Sequence, residues 1–274
     1  MQPITREQLR SFPVPAGAFT LWWLGQAGYV LKSPQGRLIA VDPYLSNACK
    51  AIGDENGFDM DRMVPPPLAP GDLIDVDLYA MTHSHGDHLD PETLAGYRAA
   101  GGQGPYLAPP ETVAKLQQLG VPADRIVMTW PNHVHRVGDV WIRATFAIPL
   151  GADDLTHVGY IIGVDGGPSV YLTGDTAYHE VLAAAAAPSR PDILVAVING
   201  AFRNLSAAEA ARLARQLDVR VVIPCHYDLF PDNSLPPQLL RTNLKLEGIG
   251  ERYRVLEHGV PFTYRPVVAA KNGD

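Results

Sequence analysis

Residues 82–88 read Thr-His-Ser-His-Gly-Asp-His and directly follow an apolar run, residues 76–81, that predicts a buried strand. The stretch carries three imidazoles and one carboxylate, which are the side chains that bind borderline divalent cations such as zinc. In an extended segment the first two histidines point to one side, and a turn at Gly86 directs the next two ligand-type residues to a second point. The alternative is a solvated polar loop, but four such residues after a buried strand argue against it. The stretch predicts a metal site with room for two ions.

Two later segments also end an apolar run with a ligand-type residue. Residues 169–175 end in Asp175, and residues 219–226 end in His226. We expect both at the same sheet edge as the histidine-rich stretch. A carboxylate can bridge two cations, so Asp175 is the natural shared ligand, whereas an imidazole binds one ion. The alternative for Asp175 is the N-cap of a helix over residues 176–187.

A further histidine is needed to complete such a site. The candidates are His133, His135, His157, His179 and His258. His157 stands between the loop at 150–154 and an apolar strand, at an element end, where sites are built. His133 and His135 share one face of a strand, but the preceding Pro-Asn dipeptide favours an exposed turn with solvated histidines. We therefore favour His157.

The composition fits an enzyme-sized globular chain. Its 274 residues are 46% hydrophobic and 19% charged, with a net charge of -7 and a pI of about 5.7. Because duplex-binding surfaces need clustered Lys and Arg, the acidic balance argues against a nucleic-acid partner. No run approaches the ~18 apolar residues of a membrane span and no apolar signal core opens the chain, so we expect a cytoplasmic protein without a membrane partner. Two cysteines, Cys49 and Cys225, make no disulfide framework.

The order of the predicted elements indicates the α/β class. Strands are predicted at 19–24, 27–31, 37–41, 76–81, 125–129, 137–147, 158–164, 169–173, 192–198 and 219–224, and helices after Asp90 and at 110–119, 178–187, 206–217 and 236–246. Residues 43–71 show neither the helical nor the strand periodicity of apolar residues and carry a cluster of prolines. We therefore expect a long loop near the site. We predict one domain over residues 1–274, with residues 1–17 as an N-terminal lead.

The motifs together resemble a known family. The His-Xaa-His-Xaa-Asp-His pattern at 83–88, the spaced His157, Thr-Gly-Asp-Thr at 173–176 and Pro-Cys-His at 224–226 resemble the metallo-β-lactamase superfamily. Within it, the segments at 21–28, 42–46 and 198–200 are similar to the branch that contains L-ascorbate-6-phosphate lactonase. The resemblance spans about residues 18 to 230. It implies a four-layer αββα sandwich, with two mixed sheets flanked by helices.

The resemblance also implies a ligand set for two divalent ions, with zinc or manganese expected and iron as an alternative. One ion would be held by His83, His85 and His157, the other by Asp87, His88 and His226, and both by the bridging Asp175. Two carboxylates bring two negative charges against about four positive ones, so the loaded site is cationic and suits an anionic small-molecule substrate. Members of the branch often form homo-oligomers, but no sequence feature here indicates a number.

The function implied is that of a binuclear, lactonase-like hydrolase. It would open the cyclic ester of a small polar metabolite, with or without a phosphate group, by attack of metal-bound hydroxide. Asp87 is the catalytic candidate, because one free carboxylate oxygen can orient that hydroxide and pass a proton to the leaving oxygen. One alternative is a phosphodiesterase or phospholipase-like hydrolase of the same superfamily, which an exposed hydrophobic groove beside the metals would favour. The other is a non-catalytic metal- or metabolite-binding protein.

Substrate contacts are predicted after the apolar strand at 192–198 and after Asp175. The candidates are Asn199, Arg203, Asn204, Tyr178 and His179. The guanidinium of Arg203 suits a phosphate or carboxylate, while the alternative is that Asn199 only makes a turn and Arg203 is solvated. We expect the pocket walls in the loop at 43–70 and around residues 230–233, and we expect Lys115 on a solvated helix face.

Overall fold

In the computed structural model of this chain, residues 4–149 and 156–266 are described; the predicted loop at 150–154 lies outside them. The helices are α1 (Arg6–Ser11), α2 (Cys49–Asn56), α3 (Pro91–Ala99), α4 (Pro110–Gln118), α5 (Glu180–Ala186), α6 (Ala207–Leu217) and α7 (Gln238–Leu246). The strands are β1 (Phe19–Gly25), β2 (Gly28–Lys32), β3 (Leu38–Val41), β4 (Leu78–Ala80), β5 (Tyr106–Ala108), β6 (Ile126–Met128), β7 (Val134–Val137), β8 (Val140–Phe146), β9 (Val158–Val164), β10 (Ser169–Leu172), β11 (Ile193–Val197), β12 (Val221–Cys225) and β13 (Phe262–Tyr264). No helix in these two ranges is long and apolar enough to cross a bilayer.

The strands form two mixed sheets. The first has the order β13-β1-β2-β3-β4-β5-β6, antiparallel from β13 to β3 and parallel from β3 to β6. The second has the order β12-β11-β10-β9-β8-β7, parallel from β12 to β10 and antiparallel from there to β7. Parallel pairs need a crossover between them, and helices supply it, as between β10 and β11 (α5) and between β11 and β12 (α6).

The sheets pack face to face with helices on both outer sides. Successive side chains of a strand point to opposite faces, so Trp23 lies in the core between the sheets while its neighbour Trp22 lies in the outer core with Leu94 and Leu116 of α3 and α4. On the far side Leu213 of α6 packs against the second sheet. The predicted αββα sandwich is confirmed. It explains why β1, β9 and β11 are buried along their whole length.

The region at 43–71 differs from the prediction of a loop without regular structure, because it contains α2 and a short 3-10 helix, Pro70–Leu73. Helix α2 gives a weak sequence signal, since its N-cap Ala48 offers no side-chain hydrogen bond. Gly53 suits the tight packing here: a Cβ at this position would lie 2.6 Å from the Phe58 carbonyl oxygen. The Arg62 guanidinium donates to the carbonyls of Val64 and Tyr44, at 2.6 and 2.9 Å, and ties the segment down.

Three strands end at the same edge of the sandwich. The histidine-rich stretch follows β4, Asp175 follows β10, and His226 directly follows β12. The predicted helix at 178–187 is α5, which starts at Glu180 with His179 as its N-cap. The alternative of Asp175 as the N-cap is therefore wrong, and its carboxylate is left for contacts at the sheet edge.

Candidate metal centre

The structure brings all seven predicted ligand residues into one centre. Three overlapping groups have ligand atoms within 4.8 Å of one another, namely His83, His85 and His157, then His83, His88 and Asp175, then Asp87, His88 and His226. Asp175 links the two ends of the centre, because it groups with His83 of the first end, and its Oδ1 lies 3.3 Å from His88 Nε2 and 3.4 Å from His226 Nε2 of the second. Both sheets contribute, since the histidine-rich stretch follows the first sheet and the other three residues adjoin the second.

Hydrogen bonds on the far ring nitrogens orient three of the histidines. Each of these histidines bonds through Nδ1: His88 to Asp42 Oδ2 at 2.8 Å, His157 to the Asp175 carbonyl at 3.0 Å, and His83 to Thr82 Oγ1 at 3.0 Å. A donor bond at Nδ1 makes Nε2 the nitrogen that can serve as a metal ligand.

Buried polar atoms without hydrogen bonds mark the centre. His83 Nε2, His88 Nε2 and Asp175 Oδ1 are each buried and lack a hydrogen-bond partner. Leaving such atoms unpaired is costly, and a cation is the partner that three acceptor atoms can share. The residues therefore fit a divalent ion on the structure's own evidence.

The carboxylates and imidazoles of the centre shift one another's pKa values. Burial raises the pKa of Asp87, but the charges of His88 and His226 lower it by more, so its net pKa lies well below the usual range. The pKa of Asp175 is lowered in the same way, with His226 the larger influence. Burial lowers the pKa of His226, yet the two carboxylates raise it to about 9. In this protein a proton at that imidazole occupies the place that a cation needs, so metal binding must release it.

Three further residues support the centre, and the sequence analysis missed their roles. Asp42 bonds His88, and it also accepts from the Thr82 backbone N–H at 2.7 Å. The Gln26 side-chain amide donates to Asp87 Oδ2 at 2.8 Å, and Asn204 donates to Asp175 Oδ2 at 2.7 Å. One signal was readable: Asp42 directly follows the apolar strand β3, and Asp175 likewise comes shortly after β10.

The structure places the five residues predicted to contact substrate in different environments. Asn204 is buried and bonded to Asp175, and Asn199 is buried with its side-chain amide donating to Asn233 Oδ1 at 2.7 Å. Tyr178 is directed to α6, where its hydroxyl donates to Gln216 at 3.3 Å, and His179 caps α5. Among the described residues, neither of these two lines the pocket beside the centre. Arg203 is exposed in a left-handed turn.

A pocket of about 390 Å³ opens beside the centre. It is lined by Cys49, Ile52, Met60, Ser84, His85, Gly86, Asp87, Lys115, Asp175, Phe202 and Asn233. The prediction of Lys115 on a solvated helix face is wrong. Its side chain is half-buried, and Nζ donates to the Ser84 carbonyl at 2.5 Å, because α4 packs beside the histidine-rich stretch.

Solved structures share this fold. The chain is similar to a possible metal-dependent hydrolase from Veillonella parvula, with a TM-score of 0.73 and 18% identity, over 89% of this chain and 98% of that one. It is also similar to an isothiocyanate hydrolase from Delia radicum gut bacteria, with a TM-score of 0.71 and 19% identity, over 89% and 98%. These likenesses establish that the chain shares the fold of both proteins.

The family follows from the sequence match. The profile of the beta-lactamase superfamily domain matches residues 20–226, so the chain belongs to that superfamily and is a metal-dependent hydrolase. Among its relatives is the "Probable L-ascorbate-6-phosphate lactonase UlaG" of Salmonella paratyphi B, which is 27% identical in an alignment that covers 86% of this chain and 77% of the relative. The predicted resemblance to this family is confirmed.

Proposed function

We propose that this chain is a lactonase-like hydrolase that opens the cyclic ester of a small anionic metabolite at a centre of two divalent ions, zinc or manganese. The observation that carries the proposal is the set of buried ligand atoms without hydrogen bonds, shared among three overlapping groups. The similarity to a protein named a probable lactonase supports the ester substrate. The proposed ligands are His83, His85 and His157 for one ion, Asp87, His88 and His226 for the other, and Asp175 for both.

Residues of the chain would orient the metal ligands and move the proton during the reaction. Divalent ions bound here supply a water of lowered pKa and polarise the ester carbonyl. Asp87 holds and passes the proton, because Gln26 engages its Oδ2 and leaves Oδ1 for the attacking water or the leaving oxygen. Asn204 holds Asp175 in place, and Asp42 fixes the ring of His88. The reaction adds one water across the cyclic ester bond and gives a single ring-opened hydroxycarboxylate and a proton.

A second candidate is a phosphodiesterase or phospholipase-like hydrolase of the same superfamily. The apolar side chains at the pocket mouth favour it, because Ile52 and Phe202 are 49% and 41% exposed beside the centre. A longer lipid-like substrate would cover such a surface. The ester and phosphodiester reactions need the same ions, so only the substrate distinguishes them.

Metal analysis combined with a substrate panel tests the proposal. The protein is purified without chelator, its metal content is measured by elemental mass spectrometry, and turnover of lactones and phosphodiesters is followed before and after metal removal. We expect about two equivalents of metal and metal-dependent lactone opening. Phosphodiester cleavage alone would establish the second candidate, and substoichiometric metal without turnover after reconstitution would refute both.

The variant Asp87→Asn tests the role of the carboxylate. We expect turnover to fall by about 100-fold or more, because the amide cannot carry the proton, while the fold is kept. The matched control is Asp124→Asn, since Asp124 is exposed in the turn before β6 and lines no part of the pocket. Near-wild-type activity of the metal-loaded Asp87→Asn protein would contradict the assignment.

A further inference from the structure

The pocket beside the centre has two chemically different sides. Lys115, on α4, is the one Lys or Arg among the described residues that line it. Ile52, Met60 and Phe202 are apolar and stand on other elements, α2, the segment after it and the turn before α6. The centre lies within the same lining, since His85, Asp87 and Asp175 belong to it.

The cation of Lys115 is held toward the centre by a backbone contact. One N–H of its ammonium donates to the Ser84 carbonyl at 2.5 Å, and the two others have no partner among the described residues. Its side chain is half-buried along its length, so α4 presents a fixed charge to the pocket instead of a mobile one in solvent. A carboxylate or phosphate in the pocket would accept hydrogen bonds from the two remaining N–H groups of Lys115.

The apolar side of the pocket exposes hydrophobic side chains to water and includes a residue with an unfavourable backbone conformation. Ile52 and Phe202 leave 49% and 41% of their area exposed at the mouth. Phe202 also has a φ of 51°, in the left-handed region that bulky residues avoid. Its ring meets Phe58 edge-on at a centroid distance of 5.5 Å, so the segment that follows α2 supports it. Exposed apolar area beside a site indicates a ligand that covers it.

We propose that this pocket selects amphipathic anions, with a carboxylate or phosphate group bound by Lys115 and an alkyl or aryl group packed against Ile52, Met60 and Phe202. The inference rests on the proposed function for the reacting ester, which would lie over the centre. It narrows the substrate to an ester or lactone that carries both an anionic group and an apolar group. In this proposal Lys115 determines specificity, because it binds the anionic group of the substrate.

Calorimetric binding of two non-reacting probes, octanoate and octyl phosphate, tests the inference on the metal-loaded protein. We expect Lys115→Met to weaken both probes by about tenfold or more, because a hydrogen bond to a charged group is lost, and Lys115→Arg to restore most of the affinity. Lys245→Met is the matched control, since Lys245 lies exposed on α7, and it should leave the affinity unchanged.

The apolar side is tested by chain length. The ratio of octanoate to acetate affinity should fall by about fivefold or more in Phe202→Ala, because the chain loses its contact surface. Equal affinity of wild type and Lys115→Met for octanoate would overturn the inference while leaving lactone turnover, and thus the proposed function, intact. Loss of probe binding in Lys115→Met without any turnover by wild type would uphold the pocket and refute the lactonase proposal.

Discussion

Asp42 lies behind His88 and shows how a single carboxylate can prepare a ligand. Its Oδ2 accepts the Nδ1–H of His88, and its left-handed φ of 45° is one that Asp and Asn tolerate better than most residues. We expect Asp42→Asn to weaken metal binding by about 10- to 100-fold, because the ring loses its charged acceptor while the backbone is undisturbed. Competition with a chromophoric chelator measures the affinity. An unchanged affinity would show that Asp42 serves only the fold.

The buried imidazole of His258 should make the stability of the protein depend on pH. Burial, with a smaller influence from Arg62, lowers the pKa of His258 from 6.5 to about 4, and its ring lies 4.0 Å from that of Trp23. The unfolded chain therefore takes up a proton at this residue before the folded protein does, and stability is lost as the pH falls from 6.5 to 4. The contribution approaches about 3 kcal/mol. Denaturant unfolding across this range should give a shallower pH slope for His258→Gln than for wild type.

At the residue scale, the sequence predicts the metal ligands far better than the residues that hydrogen-bond to those ligands. The histidines at 83–88 are adjacent in the chain, so their shared chemistry is visible without a structure. Asp42 and Gln26 act on partners 46 and 61 positions away, and the local sequence does not show which partner either of them contacts. Lys115 was misplaced for the same reason, because its neighbour at Ser84 comes from another element.

At the scale of elements, strong local signals were sufficient. Strand β9 occupies the predicted range of 158–164, and α3 starts after Asp90, which accepts a hydrogen bond from the Glu92 backbone N–H at 3.0 Å. Helix α2 has no such cap, and β5 and β13 are strands of three residues, too short to show a period. Their formation depends on pairing with β4 and β1, which is information from the whole sheet.

Helix α6 offers a test of capping energy. Ser206 is its N-cap, accepting from the Glu209 N–H at 3.3 Å while the Glu209 carboxylate accepts from the Ser206 N–H at 2.9 Å. Ser206→Ala should lower the free energy of unfolding by about 1 kcal/mol, because the cap is lost. Ser206→Thr keeps a hydroxyl and should lose much less. Chemical denaturation of the two variants distinguishes this cap from a purely steric effect at the turn before α6.

At the scale of the whole molecule, the centre joins the two sheets, because its ligands adjoin β4 in one and β9, β10 and β12 in the other. An ion that binds only the folded protein stabilises it by about 2.7 kcal/mol at a concentration of 100 Kd. We therefore expect chelator to lower the Tm by several degrees. His226→Asn, which suits the φ of 63° at this position, removes a ligand of one of the two ions and should reduce the shift, whereas His133→Asn should leave it unchanged. A metal-independent Tm in wild type would contradict the proposed ligand set.

The spread of the ligands along the chain also has a consequence during synthesis. His83, His85 and His88 leave the ribosome early, while His226 follows only after more than half of the chain's length has been added. Until β12 joins the second sheet, the ligand set proposed for the second ion, Asp87, His88 and His226, lacks its last member. Because contacts this distant in sequence form late in folding, we expect the second ion to be enclosed only after most of the chain has been synthesised.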